Sequence, residues 1–352
     1  MSTVAMVSFR LGGSDGVSIE AAKWAGAFGT LGWDVRTIAG DGPVDVLLPG
    51  LAMEAEEPPT RGELGDALSG ADIVVVENLC SLPLNPRAGD VVASVCAGRP
   101  AILHHHDLPW QRPHLAHLPP PPRDPLWAHV TINERSRAEL ARHGITATTI
   151  YNSFDPDPPP GDRDRTRRSL GIASEVRLLL QPTRALARKN VAAALELSQA
   201  VGGHFWLLGP AEDGYGPELD RLVARAGCPV LLGADHPAVR IADAYAACDA
   251  VLLPSTWEGF GNPSVESATH MRPLVVGPYP VANELAAFGF RWFGLDDIGP
   301  LARCLAEPDL ELLRHNRAVA RRHFNLADLP DVLGRVVDDV VSGRPEGVVT
   351  GR

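Results

Sequence analysis

Two glutamates, Glu258 and Glu266, are separated by seven residues in the stretch STWEGFGNPSVESA at 255–268. The preceding apolar run AVLLPS predicts a buried strand, and PSVESATHM predicts a helix with Pro263 at an early position. Gly259 and Gly261 lie between the acids and let backbone N–H groups approach ligand oxygens closely. Glu258 can accept hydrogen bonds from sugar hydroxyls, and Glu266, about one turn into the helix, can bind a vicinal diol such as a ribose. The spacing indicates a sugar-nucleotide site, but a turn with two solvated acids fits these residues alone equally well.

A second group of charged residues lies in TRALARKN at 183–190, directly after the apolar run VRLLLQ. Arg184, Arg188 and Lys189 gather where a helix should begin, and the helix dipole disfavours cations there by ~0.3–1 kcal/mol each. An anion bound among them removes this conflict. The pattern therefore predicts a site for a phosphate group, with a solvated basic turn as the alternative.

An α/β scaffold must position these residues, because short apolar runs alternate with helical patterns along almost the whole chain. Continuous apolar strands between helices indicate parallel sheets covered on both faces. The predicted strands are 4–9, 35–39, 72–77, 100–104, 128–132, 148–151, 176–181, 204–209, 229–233, 250–255 and 272–277. The change of composition to DPDPPPGDRDRTRR at 155–168 indicates an interdomain linker, and 352 residues favour two domains.

Composition argues against several classes of protein. With 32 basic and 43 acidic residues the net charge is −11, which argues against non-specific nucleic-acid binding and strong attraction to anionic lipids. The five cysteines are scattered, so neither a disulfide framework nor a zinc ribbon is indicated. The first 20 residues lack a signal-peptide pattern, and no apolar run approaches the ~20 residues that span a bilayer. We therefore expect a cytoplasmic protein without an integral membrane segment.

A glycine-rich loop, RLGGSDG at 10–16, follows the first predicted strand and opens a helix. Its Gly12, Gly13 and Gly16 lack the Gly-x-Gly-x-x-Gly spacing of dinucleotide-binding loops. Asp34 is the acid about 20 residues further on, but it precedes the second strand instead of ending it. A nicotinamide-dependent enzyme is therefore the weaker interpretation of this loop.

The histidine-rich stretch HHHDLPWQRPHLAH at 104–117 raises the question of a metal site. Strand alternation places His104 and His106 on one face and His105 on the other. The potential ligands, whose spacing fits no standard structural zinc site, are His104, His106, Asp107, His114 and His117. We expect no metal here, and packed histidines at a strand end are the alternative role for His104 and His105.

The motifs of the C-terminal half together resemble the retaining family 4 glycosyltransferases, which have the GT-B fold. The matching residues are Glu258, Gly259, Phe260, Gly261, Asn262, Pro263 and Glu266, continued by MRPLVVGPYPVANE. The resemblance implies that Glu258 contacts the donor sugar and Glu266 the nucleotide ribose. It also implies that Arg184 and Lys189 bind the donor diphosphate. The other donor-binding residues that it implies are Gly13, Gly209, Phe260, Gly261 and Asn262.

In the N-terminal half the resemblance is looser. It implies that His106 approaches the donor sugar and holds its primary hydroxyl. The implied catalytic residues are therefore His106, Glu258, Arg184 and Lys189. Those on the acceptor side are Gly12, Ser14, Asp107, Trp110 and Arg112. Tyr245 and Asp249 match the tyrosine and the acid that usually precede the motif strand, and we expect them to be structural.

The implied fold is α/β, of GT-B type, with two Rossmann-like doubly wound domains facing a central cleft and C-terminal helices. The expected parts are an acceptor-binding domain (1–155), a linker (156–175), a donor domain (176–310), C-terminal helices that could pack back on the first domain (311–345) and a flexible tail (346–352).

The implied activity is metal-independent, retaining transfer of a hexose from GDP-mannose or UDP-glucose to a hydroxyl of a soluble acceptor. The expected partners are then a nucleotide sugar and a small soluble acceptor, with no cofactor and no nucleic acid. Two alternatives stay open. One is a NAD-dependent oxidoreductase that uses the glycine-rich loop, and the other is a non-catalytic sugar-nucleotide-binding protein.

Overall fold

The computed structural model describes residues 2–13, 15–82, 84–235 and 239–343, so Ser14 and the predicted tail at 346–352 lie outside the described residues. The chain divides into two compact units, one formed by Met1–Ser153 with Leu326–Arg352 and the other by Phe154–Asn325. Each unit contains one parallel β-sheet.

The strands are β1 (Thr3–Arg10), β2 (Asp34–Asp41), β3 (Val46–Leu47), β4 (Ile73–Glu77), β5 (Ala101–His105), β6 (Trp127–Thr131), β7 (Thr148–Thr149), β8 (Leu178–Gln181), β9 (His204–Leu207), β10 (Val230–Leu232), β11 (Ala250–Leu253) and β12 (Leu274–Val276). The α-helices are α1 (Gly16–Thr30), α2 (Arg61–Ala67), α3 (Pro86–Cys96), α4 (Glu134–Arg142), α5 (Arg163–Ser169), α6 (Val191–Ala200), α7 (Gly216–Ala224), α8 (Ile241–Ala247), α9 (Pro263–Thr269), α10 (Pro280–Ala286), α11 (Ile298–Ala306), α12 (Leu310–His323) and α13 (Leu329–Val341).

The sheet of the first unit has the strand order β3-β2-β1-β4-β5-β6-β7 and is covered on both faces. Along β1, Val4 and Met6 point into a core with α1 and α13, whereas Ala5 and Val7 point into a second core with α2 and α3. This is the alternation expected of a strand buried on both sides. The C-terminal helix α13 therefore completes the core of the N-terminal unit.

The sheet of the second unit has the strand order β10-β9-β8-β11-β12. Its core includes Leu179, Phe205 and Leu252 from the three central strands. Within the segment 156–175 the structure has helix α5, whose Arg163 donates to Asp249 Oδ1 at 2.6 Å. The arginines of this segment, which led to the prediction of a polar linker, thus attach it to the second unit.

The α/β doubly wound fold class predicted from the sequence is confirmed. Each of the predicted strands coincides with an observed strand to within two residues at either end. The edge strand β3 was not predicted, because two residues are too short for a recognisable apolar run. Within the part of the chain that the structure describes, no helix has the length and apolar character needed to cross a membrane.

Candidate functional site

The basic loop after β8 is fixed in a tight conformation. A turn of 3₁₀ helix carries Arg188 and Lys189, and Asn190 adopts a left-handed conformation (φ 51°) immediately before α6. Gln181, buried at the end of β8, donates from Nε2 to the carbonyl of Lys189 at 3.0 Å. The loop therefore holds its cations at the carboxyl end of a parallel strand, where open α/β sheets bind ligands.

Glu258 links this loop to the loop after β11. Its Oε1 accepts hydrogen bonds from Lys189 Nζ and Ser255 Oγ, both at 2.5 Å. Its Oε2 accepts from Arg188 Nη1 at 3.0 Å, and the same guanidinium nitrogen donates to the carbonyl of Trp257 at 3.1 Å. Burial alone would raise the pKa of Glu258, but the charges of Lys189 and Arg188 outweigh it and lower the pKa. The carboxylate is thus ionised and already bound to three donors.

Arg184, the remaining cation of the loop, forms an ion pair with Glu212 and is partly exposed. Gly209 lies directly beside it. A Cβ at Gly209 would be 2.8 Å from both Cα and N of Arg184, so only glycine lets the loops after β8 and β9 approach this closely. Gly209, which the sequence predicts as a donor-binding residue, therefore also places the backbone of Arg184.

Glu266 lies in the first turn of α9, where the helix dipole favours an acid. The carbonyl of Asn262 accepts its backbone N–H at 3.0 Å, and the hydroxyl of Tyr245 donates to its Oε2 at 2.7 Å. Tyr245 is fully buried and stacks on His270 with a centroid distance of 4.6 Å. Burial raises the pKa of Tyr245 well above its usual value, so the hydroxyl remains a donor to the half-buried carboxylate.

The loop between the two glutamates has little room for variation. Gly261 has φ +88°, and a Cβ there would be 2.3 Å from the hydroxyl of Tyr279. Phe260 is buried, with its ring centroid 6.0 Å from those of both Phe154 and Phe324. Because Phe260 packs among aromatic rings, its side chain anchors this loop to the body of the unit.

In the first unit, the glycine-rich loop leads into α1. Gly12 has φ +76°, and a Cβ there would be 2.6 Å from the ring of Pro43. Asp15 caps α1 by accepting two backbone N–H groups of the first turn, and it also accepts from Arg10 Nε at 3.1 Å. Gly13 lies close to the same carboxylate, since a Cβ on it would be 3.2 Å from Asp15 Oδ2. Two backbone N–H groups at the N-terminus of α1 thus already bind the Asp15 carboxylate.

His104 and His106 share one carboxylate oxygen. Glu77, at the end of β4, accepts from His104 Nδ1 at 2.9 Å and from His106 Nε2 at 2.8 Å through the same Oε2. Trp24 stacks on His104 with a centroid distance of 4.0 Å. Burial alone would raise the pKa of Glu77, but the two histidines lower it to about 2.

Among the described residues, Glu77, His104 and His106 are the one group of three or more His, Cys, Asp or Glu whose ligand atoms lie close enough to share a metal ion, within 4.8 Å of one another. The two histidine–carboxylate distances, however, are those of hydrogen bonds. We therefore interpret the group as a carboxylate that binds two imidazoles directly.

His105 points to the opposite face of the sheet, as strand alternation predicts. Its Nδ1 lies 2.5 Å from Ser81 Oγ, and its Nε2 lies 2.9 Å from His129 Nδ1. Burial lowers the pKa of His105 well below its usual value and that of His129 to about 4. These groups form a neutral, buried hydrogen-bonded chain that links Ser81 after β4, the end of β5 and the middle of β6.

Three residues predicted on the acceptor side contact one another or the scaffold, namely Asp107, Trp110 and Arg112. Arg112 Nη2 donates to Asp107 Oδ2 at 3.0 Å, and both side chains are partly exposed. Trp110 stacks on His143 at 4.1 Å and donates its indole N–H to Glu139 Oε2 at 2.9 Å. Trp110 therefore packs against α4, and Asp107 with Arg112 forms the polar surface after β5.

Sequence reasoning missed several partners of these residues. Ser255 and Glu212 bind predicted site residues but carry no pattern of their own. Tyr245, expected to be structural, reaches Glu266 directly. Glu77 did carry a signal, because an acid that ends the apolar run DIVVVE lies at the carboxyl end of a buried parallel strand.

Two Rossmann-like units with parallel sheets, carrying charged loops at the carboxyl ends of their strands, define the GT-B class of fold. The solved structures that the chain is similar to include HepE of Anabaena in complex with UDP-glucose, with a TM-score of 0.74, 18% identity, and coverage of 96% of this chain and 100% of that one. They also include the sucrose-phosphate synthase of Thermosynechococcus elongatus, with a TM-score of 0.73, 15% identity, and coverage of 97% and 100%.

Among proteins of known function, the chain is similar to the mannosylglucosylglycerate synthase of Thermotoga maritima. The two are 26% identical over an alignment that covers 95% of this chain and 99% of the relative. No family model matches the chain. At these levels of identity, the similarities to solved structures establish the fold.

Proposed function

We propose that this chain is a glycosyltransferase that moves a hexosyl group from a nucleoside-diphosphate sugar to a hydroxyl of a small soluble acceptor. The observation that carries the proposal is the cation-rich loop after β8, joined through buried Glu258 to the loop after β11. In a chain with a net charge of −11, this local concentration of cations fits a ligand with a compact negative charge. A nucleoside diphosphate has that charge and also a ribose diol for Glu266.

In the proposed donor complex, Arg184 and Lys189 bind the diphosphate and Glu266 binds the ribose. Glu258 orients the donor sugar through the lone pairs that its three present donors leave available, and it keeps Lys189 and Arg188 in place. Arg184 and Lys189 also neutralise the charge that develops on the departing nucleoside diphosphate. This electrostatic contribution usually dominates such catalysis. For this reason we propose that the transfer needs no divalent metal.

We further propose that the anomeric configuration of the sugar is retained. A donor phosphate oxygen then accepts the proton of the attacking hydroxyl on the same face, and no side chain forms a covalent bond to the sugar. His106 holds a hydroxyl of the substrate sugar. This assignment agrees with the resemblance to family 4 enzymes, and the buried hydrogen-bonded carboxylate next to His106 supports it.

GDP-mannose and UDP-glucose are the donors we propose. The relative from Thermotoga maritima is named for a product with mannosyl, glucosyl and glycerate parts, which favours a mannosyl donor and a sugar-acid acceptor. The HepE structure contains UDP-glucose, which favours a glucosyl donor. We propose that the reaction takes place in the cytoplasm, which agrees with the scattered cysteines. The NAD-dependent alternative is not favoured, because the spacing of Gly12, Gly13 and Gly16 is not that of a dinucleotide loop.

A thermal-shift panel of GDP, UDP, ADP, TDP and NAD, with EDTA present, tests the proposal. One nucleoside diphosphate should stabilise the wild type, by ~2.7 kcal/mol at 100 times its dissociation constant. The variant Arg184→Ala should lose this stabilisation. Arg142→Ala, which changes an exposed arginine of α4, should keep it.

Transfer itself is then measured by mixing the matching nucleotide hexose with glycerate and glucosylglycerate and recording the anomeric signals of the product by NMR. A product with the donor's configuration supports retention, and an inverted product removes the mechanism proposed above. Stabilisation by NAD alone would overturn the proposed function.

A further inference from the structure

The buried acid Glu77 binds His106, but the function proposed so far gives it no role of its own. It is fully buried at the end of β4, and its Oε1 has no hydrogen-bond partner among the described residues. An ionised carboxylate removed from water is costly to fold and is retained where charge is needed. Its position beside His106 indicates what that charge does.

Glu77 fixes one ring nitrogen of His106 and leaves the other available. The Nε2 of His106 lies 2.8 Å from Glu77 Oε2, and no described residue bonds to its Nδ1. His106 also keeps 4% of its surface exposed, whereas Glu77 and His104 are at 0%. A substrate that reaches this ring therefore meets Nδ1.

The residue after Glu77 holds the backbone of the same histidine. Asn78 Oδ1 accepts the backbone N–H groups of His106 and Asp107, both at 3.1 Å. Asn78 itself has φ 58°, a left-handed conformation that asparagine tolerates better than most residues. Two consecutive residues at the end of β4 thus fix both the main chain and the ring of His106.

Of the two imidazoles that bind Glu77, His106 is the one whose surroundings favour the positively charged form. Burial lowers the pKa of His104, which is packed under Trp24 and is therefore a neutral donor to Glu77. Burial alone would also lower the pKa of His106, but the hydrogen bond and charge of Glu77 reverse this and raise it.

More distant charges act in the same direction. Glu20 on α1, which forms an ion pair with Lys23 at 2.9 Å, adds to the raised pKa of His106. Asp107, the next residue along the chain, contributes as well. The charged form of His106 is thus favoured from three sides.

We propose that Glu77 and Asn78 are positioning residues for His106, which they hold with its Nε2–H on Glu77 and its Nδ1–H directed at a hydroxyl oxygen of the sugar substrate. The identity of the substrate rests on the function proposed above. The link between Glu77 and His106 does not, because it is a property of the free protein.

The test of this link is the titration of His106 by ¹⁵N NMR of histidine-labelled protein, with the signal assigned by His106→Gln. In the wild type both ring nitrogens should keep their protons to a pH above the ordinary imidazole pKa of 6.5. In Glu77→Gln the ring should lose its proton at a pH at least about one unit lower, since a charge-assisted hydrogen bond is lost. Glu20→Gln is the matched control: it also neutralises a fully buried glutamate of this unit, and it should move the titration less because Glu20 makes no hydrogen bond to His106.

Stability gives a second readout that needs no substrate. A histidine with a raised pKa adds stability below its unfolded value of 6.5, and this contribution disappears as the pH rises through the folded value. A glutamate with a lowered pKa adds stability above 4.5, and this contribution disappears as the pH falls towards about 2. The Tm difference between wild type and Glu77→Gln should therefore be largest between pH ~4.5 and ~6.5.

Activity then shows whether the positioning matters. In Glu77→Gln, kcat/KM should fall by about 10- to 100-fold, as for other misplaced catalytic groups, and the pH profile should move with the NMR titration. Asn78→Gly, which keeps the left-handed turn and removes the amide, should lower kcat/KM without moving the titration. In a His106→Gln background neither change should lower activity further.

The results of these experiments distinguish a failure of the proposed link between Glu77 and His106 from a failure of the proposed function. An unchanged titration of His106 in folded Glu77→Gln, or an activity loss that persists undiminished in the His106→Gln background, would overturn the proposal. If Glu77→Gln does not fold, Glu77→Asp replaces it. Its shorter side chain withdraws the oxygen but keeps the charge, so the proposal then requires a smaller shift of the titration together with a fall in kcat/KM, and a kcat/KM equal to that of the wild type would overturn it. If the wild type binds no nucleotide and transfers no sugar, the proposed function fails, while the NMR result still decides the link between Glu77 and His106.

Discussion

The two cations assigned to the diphosphate should respond differently to the same substitution. Lys189 and Glu258 form a buried pair, with side-chain exposures of 10% and 7%. Arg184 and Glu212 form an exposed pair, with exposures of 29% and 34%. We expect Lys189→Met to lower both nucleotide affinity and the stability of the Phe154–Asn325 unit, and Arg184→Met to lower affinity alone.

The size of the effect follows from what each substitution leaves behind. Removing one partner of a buried ion pair typically costs ~3–5 kcal/mol, because the other charge stays buried without compensation. Glu258 would still accept hydrogen bonds from Arg188 at 3.0 Å and Ser255 at 2.5 Å. We therefore expect a loss nearer ~2–3 kcal/mol. The exposed pair of Arg184 should contribute only ~0–1 kcal/mol, since solvent screens it.

Hydrogen exchange of the backbone amides of β8 and β11 is the appropriate assay, because two compact units need not unfold in one transition. A loss of ~2–3 kcal/mol corresponds to roughly 30- to 150-fold faster exchange of the amides that open with this unit. The double variant Lys189→Met with Glu258→Gln should recover part of the loss, because the buried carboxylate is gone and Arg188, which loses its partner, is partly exposed. Equal protection in Lys189→Met and Arg184→Met would refute the reasoning, and so would a double variant less stable than Lys189→Met.

Two further predictions concern the motif after β11. Gly261→Ala should lower the Tm by several degrees, because it forces a Cβ to 2.3 Å from a tyrosine hydroxyl at φ +88°; Gly216→Ala, with nothing within 4 Å, should not. Tyr245→Phe removes the 2.7 Å hydrogen bond to Glu266 and should weaken binding of the ribonucleotide by about 10- to 100-fold. The affinity for a 2′,3′-dideoxy nucleotide should fall much less. Both affinities are measured by calorimetry, and an equal loss for the two nucleotides would show that Tyr245 does not act through the ribose hydroxyls.

The fold could be predicted because most of its strands are short apolar runs that are easily recognised in the sequence. The strand β8, for example, is buried along its whole length, and its three consecutive leucines contrast with the polar segments around them. The positions of the charged loops followed from the strand ends, since Arg184 comes after β8 and Glu258 after β11. The resemblance to glycosyltransferases then supplied roles that spacing alone left open.

The pairing of these residues could not be predicted from spacing. Lys189 and Glu258 are 69 residues apart, and Glu77 and His106 are 29 residues apart. The local sequence does not indicate that an acid at the end of one strand will contact an imidazole at the end of another. The same holds for Phe260, because its aromatic neighbours Phe154 and Phe324 come from distant parts of the chain.

Strand order is the missing information. If β9 and β10 had been inserted between β8 and β11, the loop of Lys189 and the loop of Glu258 would lie strands apart. The observed order β10-β9-β8-β11-β12 instead makes β8 and β11 neighbours and brings their carboxyl ends together. In the first unit the neighbours β4 and β5 have Glu77 directly opposite His104, which places His106 within reach of the same carboxylate. In both units, then, a buried carboxylate accepts hydrogen bonds from groups at the end of the adjacent strand or in its loop. Each carboxylate therefore depends on the strand order for its stability and holds its partner cation or imidazole at the edge of the sheet where ligands bind.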